Sequence, residues 1–83
     1  AQAEQMTHYI ATFHTHLAAL RTHRSLADKG LSSQMTPVPR KLSSSCGTCV
    51  RYQSVAPELD SMDRDTEAVY EDEGGEYTLV HSF

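Results

Sequence analysis

One stretch of this chain carries its own start and stop signals. Thr15 stands where a helix N-cap would, its hydroxyl placed to accept from an orphan backbone amide. From His16 to Lys29, Leu17, Leu20, Arg24 and Ala27 recur at three-to-four-residue spacing with Leu26 adjoining, the apolar stripe of an amphipathic helix. Lys29 falls in the last turn and Gly30 just beyond, where a helix stops. Directly before this segment, His8-Tyr9-Ile10-Ala11-Thr12-Phe13 is rich in aromatic and β-branched residues and reads as a strand with apolar residues on both faces. A strand feeding straight into a capped helix makes this a mixed α and β chain.

The remaining elements follow from punctuation. Leu31 to Thr36 reads as a short strand, ended or held to a sheet edge by Pro37 and Pro39, which have no amide to donate. Arg40 to Gly47 reads as a loop, and Thr48 to Gln53 as a third strand. Pro57, then Glu58 and Asp60, mark the start of a second helix whose apolar face would be Leu59, Met62, Thr66, Val69 and Tyr70. Gly74-Gly75 would break it, leaving Glu71-Asp72-Glu73 at a helix end where acids oppose the dipole. Glu76 to Phe83 completes the pattern as a last strand. The expected order is β-α-β-β-α-β, the α+β ferredoxin-like split βαβ sandwich, an antiparallel sheet with both helices on one face.

Size and charge bound what such a fold can do. A chain of 83 residues is one domain, and at that size folding buries only about 60% of the unfolded surface. Leu, Ile, Val and Phe make up 15 of the 83 residues, just under the ~20% level at which disorder enters the discussion. The core is expected to be thin, with self-association as a homodimer one way to steady it, and a deep-cavity, multi-step enzyme is excluded. Residues 1–5 have no periodicity and read as a disordered or expression-derived tail, leaving 6–83 as one small domain. Up to Pro57 the charge balance is +4, and from Glu58 onward it is −8. Such an acidic final third argues against an extended nucleic-acid surface. No apolar run approaches the ~20 residues of a membrane span, and no signal peptide is present, so a cytoplasmic protein without membrane contact is expected.

The chemistry concentrates at Ser43-Ser44-Ser45-Cys46-Gly47-Thr48-Cys49-Val50. Three readings of the paired cysteines stand open. Cys46 accepts a sulfur atom and holds it as a persulfide, which needs an exposed thiol that ionises readily. Arg40, Lys41 and Arg51 supply positive charge that favours the thiolate. Ser44 and Ser45 offer hydroxyls to a sulfur or selenium anion, and Gly47 leaves room for a partner's approach. Alternatively Cys46 and Cys49 cycle between dithiol and disulfide as an oxidoreductase, although the residues after Gly47 look like strand rather than the usual helix start. As a third reading, the pair supplies half of a zinc site, which would need two of His8, His14, His16, His23 and His81 to approach in space. These histidines read better as surface or helix-face residues. No phosphate loop or serine nucleophile elbow is present, and neither metal nor cofactor is expected.

The stretches Tyr9-Ile10-Ala11-Thr12-Phe13, Ala19-Leu20-Arg21, Gly30, Pro37-Val38-Pro39-Arg40 and Ser43-Ser44-Ser45-Cys46-Gly47 resemble the selenium/sulfur carrier protein-like family, over about His8 to Tyr52. The resemblance implies a non-enzymatic or weakly enzymatic carrier with Cys46 as the carrying residue. Its partners would be a donor such as a cysteine desulfurase and an acceptor protein. Cys49 departs from the family's pattern, in which small or apolar residues stand. A second thiol there would be placed to release sulfide from a persulfide on Cys46 and close a disulfide, which keeps the oxidoreductase reading beside the carrier one. A module for protein interaction with incidental cysteines is the remaining alternative.

Overall fold

The computed structural model describes residues 6–83; the expected tail at 1–5 lies outside them. Strand β1 (Thr7–Phe13) ends where Thr15 begins helix α1 (His16–Asp28). The cap forms as the side chain dictates, with Thr15 Oγ1 accepting from the Ala18 amide at 3.1 Å. Strand β2 (Ser33–Pro37) and strand β3 (Thr48–Ser54) follow. A single 3-10 turn (Leu59–Ser61) leads to strand β4 (Thr66–Glu73) and strand β5 (Glu76–Ser82). Among the described residues no helix is long and apolar enough to cross a membrane.

The five strands form one antiparallel sheet in the order β2-β3-β1-β4-β5. The fold is α+β, but the ferredoxin-like arrangement is not what forms: the described residues hold one α-helix, and the sheet has a fifth strand. The expected second helix is the error. Thr66–Glu73, taken as its C-terminal half, is a strand that pairs with β1, placing Val69 opposite Ala11 and Tyr70 opposite Ile10. Thr66, Val69 and Tyr70 are β-branched or aromatic and suit a pleated surface. A strand also removes the conflict that a helix would have had with Glu71-Asp72-Glu73 at its negative end. Gly74 and Gly75 have φ of 60° and 91°. They make the two-residue turn that a tight hairpin needs, rather than a helix stop.

The core lies between α1 and one face of β1, β3 and β4. Tyr9, Ala11, Phe13, Val50, Tyr52 and Val69 meet Ala18, Ala19 and Leu26 there. Tyr9 and Tyr52 stack with ring centroids 5.3 Å apart, and the buried Tyr52 hydroxyl donates to the Pro57 carbonyl. The helix stripe is shifted from the expected one. Ala18, Ala19, Thr22 and Leu26 are buried, whereas Leu17 is 52% exposed and Arg24 and Ala27 face outward. Small residues at 18 and 19 let the helix sit close to the sheet. Thr22 earns its burial by accepting from the Asp63 amide through Oγ1 at 3.0 Å. Lys29 clamps the end of α1 to the 3-10 turn, with Nζ at 2.8 Å from Glu58 and 3.0 Å from Asp60.

Alternation sends Ile10, Thr12, Cys49 and Ala68 to the opposite face, where no helix lies, yet all four are buried. The long connection between β2 and β3, residues 38–47, is the segment that binds across to β1, β4 and the β4–β5 turn.

Candidate functional site

The β2–β3 connection begins and ends in register. The Val38 amide donates to the Gly47 carbonyl at 3.1 Å, one step beyond the Pro37–Thr48 pair. Between these ends three consecutive side chains reach three different strands. Ser44 Oγ donates to the carbonyl of Phe13 at the end of β1 (2.8 Å). Ser45 Oγ donates to Glu67 Oε2 at the start of β4 (2.8 Å). Cys46 Sγ donates to the carbonyl of Thr48 at the start of β3 (3.3 Å). The cysteine therefore sits on an anchored loop rather than a free tip. Its thiol is half-buried, packed along the edge of the core.

Gly47 shapes the backbone where the loop joins β3. Its φ of 73° lies in the left-handed region, while a Cβ at this position would meet nothing within 4 Å. Glycine is required by the backbone turn that separates Cys46 from β3, not by lack of room.

Three residues on, Cys49 occupies a different environment. It is fully buried in β3 opposite Thr12 and Thr36. Its Sγ lies 3.2 Å from Thr36 Oγ1 and 3.6 Å from the Pro37 carbonyl. Burial pushes the Cys49 thiol up from its ordinary range, more than the Thr36 hydroxyl and the nearby Arg51 bring it down. Both cysteines are free thiols. The neutral, sealed Cys49 is suited to packing, whereas the partly open Cys46 is the thiol that a reagent or a partner can meet.

The basic residues expected around Cys46 are dispersed. Lys41 Nζ donates to the Gly75 carbonyl at 3.2 Å and lies 3.6 Å from Glu76. Arg51 extends over the helix-free face to Asp72 (3.0 Å) and stands beside Cys49 rather than Cys46. Arg40 is exposed on the loop. The groups nearest the loop cysteine's anchors are instead ones that sequence reasoning set aside. His14 Nδ1 approaches Glu67 Oε2 at 3.4 Å, on the same oxygen that holds Ser45. His16 Nδ1 is 3.4 Å from Thr48 Oγ1, on the residue whose carbonyl takes the Cys46 thiol. The His-Thr-His run around the helix cap was the one visible sign of this. Glu67 had none, because it reaches the loop only through the pairing of β4 with β1.

At the other end of the sheet, a polar groove of about 210 Å³ is lined by His8, Gln34, Arg51, Gln53 and Asp72 among others. It belongs to the Cys49 side of the sheet and adjoins none of the Cys46 anchors. Among the described residues no group of three or more His, Cys, Asp or Glu side chains is arranged to hold a metal ion.

No curated protein and no solved structure matches this chain. A family profile does, over residues 8–71 of the 83, and the family is described as "Putative Se/S carrier protein-like". The match runs from β1 through the Cys46 loop and on into β4, past Tyr52, beyond which the sequence resemblance is weaker. It therefore includes Ser44, Ser45, Cys46 and Glu67, four of the residues that build the anchored loop. The chain belongs to the selenium/sulfur carrier protein-like family.

Proposed function

We propose that this protein carries a sulfur or selenium atom on Cys46 and passes it between two partner proteins. The observation that carries the reading is the contrast within β3 and its approach. One free thiol is partly open on a loop held by Ser44 and Ser45, and the other is sealed in the sheet. Family membership supports a chalcogen as cargo and proteins as the exchange partners.

Loading needs no oxidant. The Cys46 thiolate attacks the terminal sulfur of a donor's persulfide, of the kind a cysteine desulfurase forms. The new S–S bond makes a persulfide on Cys46, and the donor's sulfur leaves as a thiolate. An acceptor thiolate then repeats the step on Cys46. Ser44 and Ser45 hold the loop so that the Cys46 side chain stays half-buried at the edge of the core. His14 and His16 stand beside the cysteine's anchors, His14 on Glu67 and His16 on Thr48. Arg40, exposed on the loop, gives it a positive approach for an anionic persulfide, while Lys41 is turned to Gly75 and Glu76 and Arg51 acts on the Cys49 side. Gly47 sets the turn that keeps Cys46 out of the strand.

The oxidoreductase alternative requires Cys49 to attack Cys46. Its burial, its hydrogen bonds to Thr36 and Pro37, and its raised pKa all weigh against a resolving thiol. Cytoplasmic residence fits a carrier of this kind, since a reducing compartment keeps its two cysteines as free thiols.

The test is intact mass after incubation with a desulfurase and cysteine, or with a selenium donor. The wild type gains one chalcogen atom that a reductant removes, Cys49→Ala gains it equally, and Cys46→Ala gains none. Equal gain in Cys46→Ala would end the assignment.

A further inference from the structure

The two edges of the sheet are not alike. β2 is five residues long, ends at Pro37 and lies under α1. β5 is seven residues long, about 24 Å by its rise per residue. It contains no proline, lysine or arginine, and among the described residues it pairs with β4 alone. Its outer side is a row of backbone donors and acceptors with Leu79 and, just past its end, Phe83 more than half exposed. β5 lacks the proline and lysine that commonly blunt natural edge strands, although one irregularity, the extra residue Val80 opposite the Val69–Tyr70 step, interrupts its pairing with β4.

Its surroundings define what would cover it. Glu71, Glu73 and Glu76 stand on the same hairpin, and the chain from Glu58 onward carries a net −8. A second copy would bring the same excess of acid against itself, so a strand bearing lysine or arginine is the complementary occupant. The edge also leads to the cysteine. The Phe83 amide donates to the Glu67 carbonyl at 3.0 Å, while the Glu67 carboxylate holds Ser45, the neighbour of Cys46. One oxygen of that carboxylate, Oε1, is buried with no hydrogen-bond partner. The N-terminal end of β5 touches the same loop through Glu76 and Lys41.

We infer that the outer edge of β5 is the docking site for an extended, basic segment of the protein that exchanges the chalcogen with Cys46, bound by strand addition. This rests on the carrier reading for the partner's identity, not for the edge itself. A strand paired along β5 would run beside the hairpin whose Glu67 and Gly75 hold the Cys46 loop.

Binding and loading are read separately. The probe for binding is a short peptide in which lysine alternates with valine or threonine, with its glutamate-for-lysine counterpart as control, followed by amide chemical shifts and hydrogen exchange. The lysine peptide should shift and protect the β5 amides and weaken with salt, and the glutamate peptide should bind roughly tenfold less tightly or worse. Leu79→Lys, and independently Glu71→Lys with Glu73→Lys, should remove the effect while Cys46 still loads from a small-molecule persulfide. Absence of β5 shifts with the lysine peptide overturns the inference, as does equal binding of both peptides. A concentration-dependent dimer that Leu79→Lys dissociates overturns it in favour of a second copy. If β5 binds the peptide but Cys46 never loads, the edge stands and the carrier reading falls.

Discussion

Cys46 and Cys49 are separated by two residues, and what surrounds each comes from a different level of structure. Cys49 is governed by the sheet, since its position in β3 turns its side chain to the buried face under Thr12 and Thr36. Cys46 is governed by loop chemistry, in which a left-handed glycine, two serine hydroxyls and a carbonyl hold it at the border of the core. A two-residue spacer in a sequence invites the idea of a working pair. A strand boundary falling inside that spacer, at Thr48, is enough to divide the pair into one structural and one chemical thiol.

That division can be broken or sharpened by substitution. The largest effect on stability is expected at the sealed thiol, where Cys49→Ala should cost about 1–3 kcal/mol in urea unfolding. Cys46→Ala, with water already on one side, should cost less than about 1 kcal/mol; a reversed order would break the comparison. Gly47→Ala forces a side chain into the left-handed region and should cost about 1–2 kcal/mol even though nothing crowds the site. Ser45→Ala removes one hydrogen bond to a charged partner, of about 1 kcal/mol. Its clearer sign is faster hydrogen exchange across residues 43–47 than across β3.

A pH experiment sharpens the same contrast. The folded Cys49 thiol has a raised pKa, so the folded state keeps its proton at a pH where the unfolded chain has lost it. Its contribution is whole below the unfolded thiol value of about 8.5 and is lost as pH climbs through the folded value. Stability of the wild type and of Cys46→Ala should therefore fall over that alkaline range more steeply than that of Cys49→Ala. The smallest effect is expected at the exposed Lys29, where Lys29→Ala loosens the link between α1 and the 3-10 turn and should move the urea midpoint less than any substitution above, a shift that salt should shrink further.

What could be read in the sequence was local. The Thr15 cap, the stop at Gly30, the first strand and the proline-bounded edge strand all depend on residues within a turn of one another, and the structure has them. The region after Pro57 was misread because its helix-start signals are also local, while its true partner is not. Glu58 takes a left-handed conformation with φ of 57°, only one 3-10 turn forms, and pairing with β1 converts the rest into strand. The acids at 71–73 and the glycine pair at 74–75 already favoured a hairpin over a helix end. For the site, the serines, glycine and cysteine of the loop were visible as a contiguous motif. Glu67 meets Ser45 from 22 positions away, His16 meets Thr48 from 32, and His14 joins through Glu67, all only once the sheet is built. The stripe of α1 was misplaced for a related reason: Leu17 and Leu20 outrank Ala18 and Ala19 in hydrophobicity, but close packing on the sheet selects the smaller pair.

The account rests on Cys46 being the thiol that meets reagents in the native state. The direct measurement is the alkylation rate of each single-thiol variant, Cys49→Ala and Cys46→Ala, in the absence of denaturant. Cys46 alone should react within about tenfold of an unstructured peptide thiol, and Cys49 alone should react only at the rate at which the sheet opens. Comparable rates for the two, or a faster Cys49, would contradict it.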